Sequence, residues 1–466
     1  MDTTTPNSRS TSNEKNEPAL IGRRSLMRNS VLGAAGLAFG GLIGRTASAA
    51  SLPFSPDYGP LMPAMDESTG LYLISLPEGF RYKTFGWTGD LMADGTQTPS
   101  AHDGMGVVAA KGNTVTMIRN HEKRGQGAAW SRLAYDSTAI GGTTNLTFDT
   151  YRGEWGESFA SLSGTSTNCA GGLTPWGSWL TCEETTAGPE TNDAAKTHGW
   201  IFEVPAYGRA SAEPLKAMGR FVHEAVAVDP ATGIVYETED RGTSGFYRFI
   251  PNDYGKLQNG GKLQMLRVLE GDNVNLSAGY ANDTTWTVDW VDIEDPERAH
   301  EPGTTNSLGV FKQGWAQGGA RLSRGEGCWY DGGYIYFVST SGGSAGEGQI
   351  FEYEPRSEKL RLVFESPSAA VLNSPDNIAV SPRGGIILCE DGSRPKQMLH
   401  GLTRDGQIFP FAENNVVLNG EKNGFIGNYT GREWCGATFY NQWLFVNIQT
   451  PGITFAITGP WDNGSL

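Results

Sequence analysis

The sequence predicts an all-β protein, a six-bladed β-propeller with an insertion that covers one face. The first observation is composition, because 63 of the 466 residues are glycine, about twice the usual share. With 24 prolines, 13 tryptophans, 16 tyrosines and 20 phenylalanines, this glycine content is typical of many short strands joined by tight turns. The second observation is an internal repeat, and the third is the position of acidic residues within it.

The repeated unit is a strand, a tight turn, a second strand and then a third strand. The clearest copy has strands at 223–228, 234–239 and 245–250, with a turn at 229–233. Alternating apolar residues between turn residues favour a β-meander. First strands of the six copies begin at residues 103, 169, 224, 326, 376 and 433. Apart from one long gap, this spacing suits the small sheets of a propeller.

The long gap holds an insertion at roughly residues 253–320, which we expect to cover one face of the ring. Residues 50–466 would then form a single β-propeller catalytic domain. A β-sandwich, or two separate β domains, is the alternative that the strand pattern leaves open.

Residues 1–49 are predicted to be a twin-arginine signal peptide with a polar leader. Arg23 and Arg24 precede a glycine-rich apolar stretch at 31–44, and small residues at 46–50 supply a cleavage site. The apolar stretch is shorter than the roughly twenty residues that span a bilayer. We therefore expect a periplasmic or secreted protein, exported by the twin-arginine pathway.

The formal net charge of the chain is −15. This charge argues against a nucleic-acid partner and against attraction to anionic lipid. We expect a monomer that acts on a small molecule, with no membrane contact after the signal is cleaved. The natural counter-ions of such a chain are cations.

Acidic residues recur where a propeller would bring them together. The innermost strand of a blade begins at one mouth of the channel, and its antiparallel neighbour returns to the same mouth. Starts of first strands carry Asp103, Cys169, Glu224, Glu326, Asp376 and Glu433, and ends of second strands carry Glu122, Glu183/Glu184, Glu239/Asp240 and Glu390/Asp391. A single acid at a strand end is usually a solvated turn residue. Carboxylates gathered in a ring repel one another unless multivalent cations bind between them.

The ligand types narrow the choice of cation. Many carboxylate oxygens suit calcium, or iron in a high oxidation state, better than zinc. Cys169, at the start of a strand, adds a thiolate that points to a transition metal, whereas the other four cysteines lie in apolar runs typical of buried residues. Arg324 precedes Glu326 by two residues, so that the two can share a strand face and Arg324 can clamp a phosphate.

At these positions the sequence resembles the PhoX-type alkaline phosphatases. The matching stretches are NCAGGLTPWG (168–177), TCEE (181–184), GRFVHEA (219–225), TEDR (238–241), RGEG (324–327), SPDN (374–377), CEDG (389–392) and FVNIQTPGIT (445–454). The resemblance runs from about residue 100 to the C-terminus. It implies a six-bladed propeller, exported by the twin-arginine path, that hydrolyses phosphomonoesters outside the cytoplasm.

The resemblance also implies a cofactor and its ligands. The expected cofactors are Fe³⁺ and Ca²⁺ in one multinuclear cluster, whose bridging oxide or hydroxide is the nucleophile, with Arg324 binding the phosphate. Carried over by position, the metal ligands would be Cys169, Glu183 or Glu184, Glu224, Glu239, Asp240, Glu326, Asp376, Glu390 and Glu433. Adjacent strand residues face opposite sides, so the choices between Glu183 and Glu184 and between Glu239 and Asp240 stay open.

Two other functions compete with a phosphatase. One is a calcium-dependent propeller lactonase or esterase, which has no use for a thiolate ligand or for a phosphate-binding arginine. The other is a non-catalytic propeller that binds a partner and holds calcium only for stability. Metal content and phosphate release from a simple phosphomonoester separate the three.

Overall fold

In the computed structural model, the described residues are 52–466 apart from positions 132 and 209. Strands dominate this range, with one short α-helix, α1 (Gly309–Trp315), and 3₁₀ helices at Lys216–Met218, Leu257–Asn259 and Trp461–Asn463. No helix among the described residues has the length and apolar character needed to cross a membrane. The predicted signal at residues 1–49 lies outside the described residues.

Six antiparallel units carry most of the strands. In chain order they are unit 1, β4 (His102–Lys111), β5 (Thr114–His121), β6 (Gly141–Asp149) and β7 (Glu154–Thr165); unit 2, β8 (Asn168–Leu173), β9 (Ser178–Glu183) and β10 (Ile201–Pro205); unit 3, β11 (His223–Val228), β12 (Val235–Glu239), β13 (Phe246–Pro251), β14 (Gly261–Val268) and β15 (Thr285–Asp292); unit 4, β16 (Gly325–Asp331), β17 (Tyr334–Ser339), β18 (Gln349–Glu354) and β19 (Lys359–Glu365); unit 5, β20 (Pro375–Val380), β21 (Ile386–Glu390), β22 (Met398–Leu402) and β23 (Ile408–Asn414); and unit 6, β26 (Trp434–Tyr440), β27 (Trp443–Ile448) and β28 (Ile453–Thr458). Each observed first strand begins within one residue of its predicted start.

The remaining strands precede unit 1 or lie between units 5 and 6. They are β1 (Leu61–Ala64), β2 (Ile74–Pro77) and β3 (Arg81–Phe85), and the hairpin of β24 (Val417–Asn419) with β25 (Ile426–Asn428). Strand β3 pairs with β28 and completes unit 6, while β1 and β2 extend the sheet of unit 5 beyond β23. Residues 61–85 therefore complete the two units that come last in the chain.

The first strands of the six units contact one another in a closed ring, in the order β4, β8, β11, β16, β20, β26 and back to β4. Each of them is also the edge strand of its own sheet. Sheets that meet through their inner edges around a centre form a propeller. The all-β, propeller prediction is confirmed.

Glycine lets neighbouring first strands approach closely. A Cβ at Gly104 would lie 2.6 Å from the Cα of Ala170, and one at Gly436 would lie 2.5 Å from the carbonyl oxygen of Asp103. No side chain fits at these distances, so these glycines are required where the inner strands touch. Around the ring, the apolar core lies between adjacent sheets; for example, Phe246 of unit 3 stacks on Phe337 of unit 4 with ring centroids 4.0 Å apart.

The predicted insertion at 253–320 divides into two parts. Its first half supplies β14 and β15, and β15 pairs with β19, so that units 3 and 4 share one nine-stranded sheet. This half thus builds the outer part of two units rather than a cover. Its second half, which holds α1, reaches the side of the ring where second strands end: Asn306 Oδ1 accepts from Arg241 Nη2 at 3.4 Å.

Candidate metal centre

In every unit, two residues lie at the same mouth of the ring, one near the start of the first strand and one just after the second strand. The second residue of each first strand is Asp103, Cys169, Glu224, Glu326, Asp376 or Cys435. The residue directly after each second strand is Glu122, Glu184, Asp240, Thr340, Asp391 or Gln449. The backbone N–H of the latter donates to the carbonyl of the residue just before the first strand in all six units, at 2.8–3.3 Å. We call these residues, together with Glu433, the hub.

Three groups of hub side chains could each hold a cation. They are Asp103, Glu433 and Cys435; Glu122, Cys169 and Glu184; and Glu224, Glu326 and Asp376. Within each group, one ligand atom from every residue lies within 4.8 Å of the others. Each group draws its members from two or three different units, so the ring itself is needed to assemble them.

Backbone strain marks the same positions. The residues before four of the first strands, Ala101, Thr167, Arg324 and Ser374, have φ angles of 51–54°. This left-handed conformation costs a non-glycine residue of order 1 kcal/mol or more and persists where the surroundings enforce it. The repeated kink lies two residues before Asp103, Cys169, Glu326 and Asp376 in sequence, directly before the first residue of each of these strands.

Burial disfavours the charged form of the hub carboxylates unless cations bind to them. Glu224 and Glu326 are almost fully buried. Burial raises the pKa of both well above the ordinary value, and the neighbouring acids Glu326 and Asp240, respectively, raise it further. Burial, with help from Asp391, also raises the pKa of Asp376 to about 7.

The pKa values of several residues in the other two groups are raised as well. Burial raises the pKa of Asp103 and of Glu433 well above the ordinary range, and nearby carboxylates add to the effect. Burial raises the pKa of Glu184 to about 9, even though Arg124 opposes the change. Burial also raises the pKa of the Cys169 thiol. Raised pKa values mean that protons compete with cations for these side chains, so that metal binding would release protons.

Several buried oxygens of the hub have no hydrogen-bond partner. Both carboxylate oxygens of Glu224, and Oδ1 of Asp103, are fully buried and unpartnered among the described residues. The Cys169 thiol lies 3.7 Å from Asp103 Oδ2. Unpartnered buried oxygens are rare and costly in native proteins. Together with the thiol, they fit a set of metal ligands.

Two arginines bridge hub carboxylates from neighbouring units. Arg324 donates from Nε to Asp240 Oδ1 at 2.9 Å and from Nη2 to Glu326 Oε1 at 2.6 Å. The carboxylates raise the pKa of Arg324, which keeps it cationic. Its side chain is 37% exposed, so it is both held and accessible.

Arg124 repeats this arrangement across units 1 and 2. It donates from Nη2 to Glu122 Oε1 at 2.7 Å and to Glu184 Oε2 at 2.6 Å. Gln449 completes this side of the hub by donating to Glu122 Oε2 at 2.7 Å and to Asp103 Oδ2 at 3.3 Å. Cationic and amide donors therefore already surround the carboxylates.

Most of the predicted site residues meet in the hub, but three do not. Those in the hub or against it are Cys169, Glu184, Glu224, Asp240, Glu326, Asp376, Glu433 and Arg324. Glu183, Glu239 and Glu390 are each the last residue of a second strand and are buried within their own units. We call these three the brace glutamates.

The brace glutamates accept hydrogen bonds from their own units. Glu183 accepts from the backbone N–H groups of Ser166 (2.9 Å), Gly199 (2.8 Å) and Trp200 (3.1 Å) and faces His198 Nδ1 at 2.6 Å. Glu239 accepts from the N–H of Gly245 at 3.0 Å and from Tyr247 Oη at 2.7 Å; Glu390 accepts from the N–H groups of Asn373 and Met398 at 2.8 and 3.2 Å. The side chains of Glu183, Glu239 and Glu390 thus lie within their blades, one residue before the hub positions Glu184, Asp240 and Asp391.

The hub also contains residues that the sequence did not assign as ligands. Asp103, Glu122 and Asp391 belonged to the predicted rim pattern, and an acid directly after a second strand was the signal for the last two. Cys435 was interpreted as a buried small residue, and all five cysteines are indeed buried and free. The signal for Arg124 was its position two residues after Glu122.

Comparison with known proteins shows which family the sequence matches. A family model described as alkaline phosphatase PhoX matches residues 56–158 and 134–452. No curated protein matches the sequence. Among solved structures, Pseudomonas fluorescens PhoX in complex with vanadate, a transition-state analogue, is similar with a TM-score of 0.61 at 18% identity, over 87% of this chain and 98% of that chain. This likeness concerns the fold.

Two further solved structures are more distant. A gluconolactonase from Xanthomonas campestris has a TM-score of 0.44 at 11% identity, over 86% of this chain and 98% of that chain. A protein of unknown function from Bacteroides thetaiotaomicron has a TM-score of 0.38 at 11% identity, over 82% and 78% of the two chains. Neither likeness is strong enough to bear on function.

Proposed function

The chain belongs to the PhoX family of alkaline phosphatases, and we propose that it hydrolyses phosphomonoesters with the help of several multivalent cations held by the hub. As a member of this family it is a phosphoric monoester hydrolase. The observation that carries the proposal is the three groups of mostly buried ligand atoms, each within a 4.8 Å span. Ordinary buried carboxylates are paired or hydrogen-bonded, whereas Glu224 has no partner for either oxygen.

The ligand types suggest which cations each group would hold. Glu224, Glu326 and Asp376 offer only oxygen, as calcium prefers. Cys169 adds sulfur to the group of Glu122 and Glu184, and a thiolate favours a transition metal. We therefore propose that Ca²⁺ binds to Glu224, Glu326 and Asp376. We propose that Fe³⁺ binds to the group that contains Cys169.

Bound cations would neutralise the hub and polarise the phosphoryl group of the substrate, so that an anionic ester is not repelled by this acidic chain. The chain itself would bind and orient that group. Arg324 uses Nε and Nη2 for its carboxylate partners, which leaves Nη1 to bind a phosphate oxygen. Its salt bridges to Asp240 and Glu326 fix the guanidinium before substrate arrives.

The exported location is part of the proposal. Residues 1–49 carry paired arginines, an apolar stretch and small residues before a cleavage site. Export in the folded state would let the cations enter before the chain leaves the cytoplasm. The substrate would then be a small phosphomonoester outside the cytoplasm, and the active form a monomer.

The test is elemental analysis and phosphate release by purified protein, with Cys169→Ala as the variant. Cys182→Ala is the matched control, because Cys182 is also a buried, free cysteine but belongs to none of the three hub groups. We expect Cys169→Ala to lose iron and most of its activity on 4-nitrophenyl phosphate, and Cys182→Ala to keep both. Full activity and iron in Cys169→Ala would refute the iron assignment. Wild-type protein without bound metal or phosphate release would refute the function.

A further inference from the structure

We propose that a cavity bordered by Arg124 and Glu184 is the subsite for the leaving group, and that it selects monoesters of small, uncharged polyols. The cavity has a volume of about 170 Å³. Its lining includes Asp136, Thr138, Thr185 and His198. The inference rests on the proposed phosphatase function, and it names the class of substrate for that site.

The cavity continues directly from the hub. Arg124 and Glu184 line it, and Arg124 donates to both Glu184 and Glu122, which belong to the hub. A substrate with its phosphate held at the hub can therefore extend its alcohol part past Arg124 into this space. The side chain of Arg124 is 66% exposed, so that the passage is open to solvent.

The size of the cavity limits the leaving group. Sites for drug-sized ligands measure roughly 300–1,000 Å³, so 170 Å³ is small. A polyol of the size of glycerol fits this space, whereas a nucleoside does not.

The lining favours hydroxyl groups. Thr138, Thr185 and Gln126 border the cavity with hydroxyl and amide groups, and the described residues that line it include no Phe, Tyr or Trp. The imidazole of His198 also lines it but is fully buried, so a nucleobase or aryl leaving group would find no exposed aromatic face to stack on. Asp136 and Asp193 also border the cavity, and their carboxylates would repel a leaving group that carries a second acid.

One polar atom in the lining lacks a good partner. His198 is fully buried, and its Nε2 makes no hydrogen bond. The nearest carboxylate oxygen, Asp136 Oδ2, is 3.5 Å away. Nδ1 of the same ring faces Glu183 at 2.6 Å, which fixes the orientation of the ring. Nε2 is thus positioned to bind a hydroxyl group that enters the cavity.

The experiment fills the cavity without touching the hub. Ala194 lines this cavity, whereas its neighbour Ala195 lines a separate one that includes Tyr135 and Lys196. Ala194→Phe and the matched control Ala195→Phe are assayed on glycerol 2-phosphate, 4-nitrophenyl phosphate, AMP and phosphoethanolamine. We expect Ala194→Phe to lower kcat/KM for glycerol 2-phosphate at least about tenfold. Its kcat/KM for the aryl ester and AMP should change less than about twofold, because these leaving groups do not enter the cavity.

The outcomes separate this inference from the phosphatase proposal. An equal loss on all four esters, or no loss on any, overturns the subsite while phosphate release continues. A larger loss on phosphoethanolamine than on glycerol 2-phosphate overturns the uncharged polyol. No release from any ester by the wild-type chain refutes the phosphatase instead. A thermal unfolding curve shows whether each variant folds. If Ala194→Phe does not fold, Ala194→Leu places a smaller side chain in the cavity and is assayed in the same way.

Discussion

Two sets of acids, one residue apart in sequence, have opposite surroundings in this protein. Glu184, Asp240 and Asp391 follow their second strands and lie at the hub, whereas the brace glutamates Glu183, Glu239 and Glu390 are the last residues of those strands. Backbone N–H groups of its own unit hold each brace glutamate. Hub acids face other acids and the two bridging arginines.

This difference shows that partners, not residue type or burial, decide the role of an acid here. Glu183 and Glu224 are both fully buried glutamates. Amide donors satisfy Glu183, so that it holds one blade together. Burial and neighbouring carboxylates, with Glu326 first among them, raise the pKa of Glu224, so bound cations would favour its charged form. Three predictions test this difference between the hub acids and the brace glutamates.

The largest expected effect is a loss of stability with rising pH in metal-free protein. In this state the pKa of Asp376 is raised to about 7 and that of Glu184 to about 9. Both exceed their unfolded values, so the folded state binds more protons from about pH 4 to pH 9 and loses stability as pH rises. Thermal unfolding in chelator should show Tm falling from pH 5 to pH 9.

Added calcium and iron should remove most of this pH dependence, because the carboxylates then bind cations in place of protons. The same titration of the metal-loaded protein is the control. A Tm that rises with pH in chelator would contradict the comparison, since it would mean that hub acids are stabilised as anions by the chain alone.

The second prediction compares Glu224→Gln with Glu237→Gln. Both glutamates are fully buried, and neither carboxylate has a hydrogen-bond partner among the described residues. Only Glu224 belongs to a hub group. We expect Glu224→Gln to lower kcat/KM by about 100-fold or more, the size typical of disturbed metal sites. Glu237→Gln should keep its activity, because burial keeps Glu237 protonated and glutamine has the same shape.

Elemental analysis accompanies both variants. Glu224→Gln should lose calcium, and Glu237→Gln should retain the wild-type content. Equal losses of activity in the two variants would show that any buried, unpartnered glutamate matters, and the distinction between hub and blade would fail.

The smallest expected effect comes from a brace glutamate. Glu183→Gln replaces an acceptor of several N–H groups by an amide that cannot accept from all of them. The expected loss is about 2 kcal/mol in the free energy of unfolding. Urea unfolding measures it, and kcat/KM on 4-nitrophenyl phosphate should change only a few-fold, because Glu183 lies outside the hub and the aryl leaving group does not enter the cavity that His198 lines. A fall of 100-fold in kcat/KM with unchanged stability would move Glu183 into the site.

Much of the fold was readable from the repeats. Strand β11 was predicted at 223–228 and lies at His223–Val228, because alternation and turn residues mark both of its ends. The way the ring closes was not predicted. Strand β3 pairs with β28 from the opposite end of the chain, and no local pattern identifies the partner of a strand so far away.

The insertion shows the same limit. Its length and position were visible as a gap in the spacing of the repeats. Its first half became β14 and β15 of the outer sheet, whereas a cover over one face was expected. Pairing between β15 and β19 depends on how units 3 and 4 lie beside each other, which the repeat spacing does not contain.

For the site, the amino-acid sequence shows that acids recur at strand ends and that one thiol and one arginine accompany them. Which of two adjacent acids faces the hub depends on the folded ring, because the second strands are buried on both faces: all six residues of β9 are buried. When both faces of a strand are buried, the alternation of residues does not show which side chains face which side. The choice between Glu183 and Glu184 is therefore set by packing against neighbouring units.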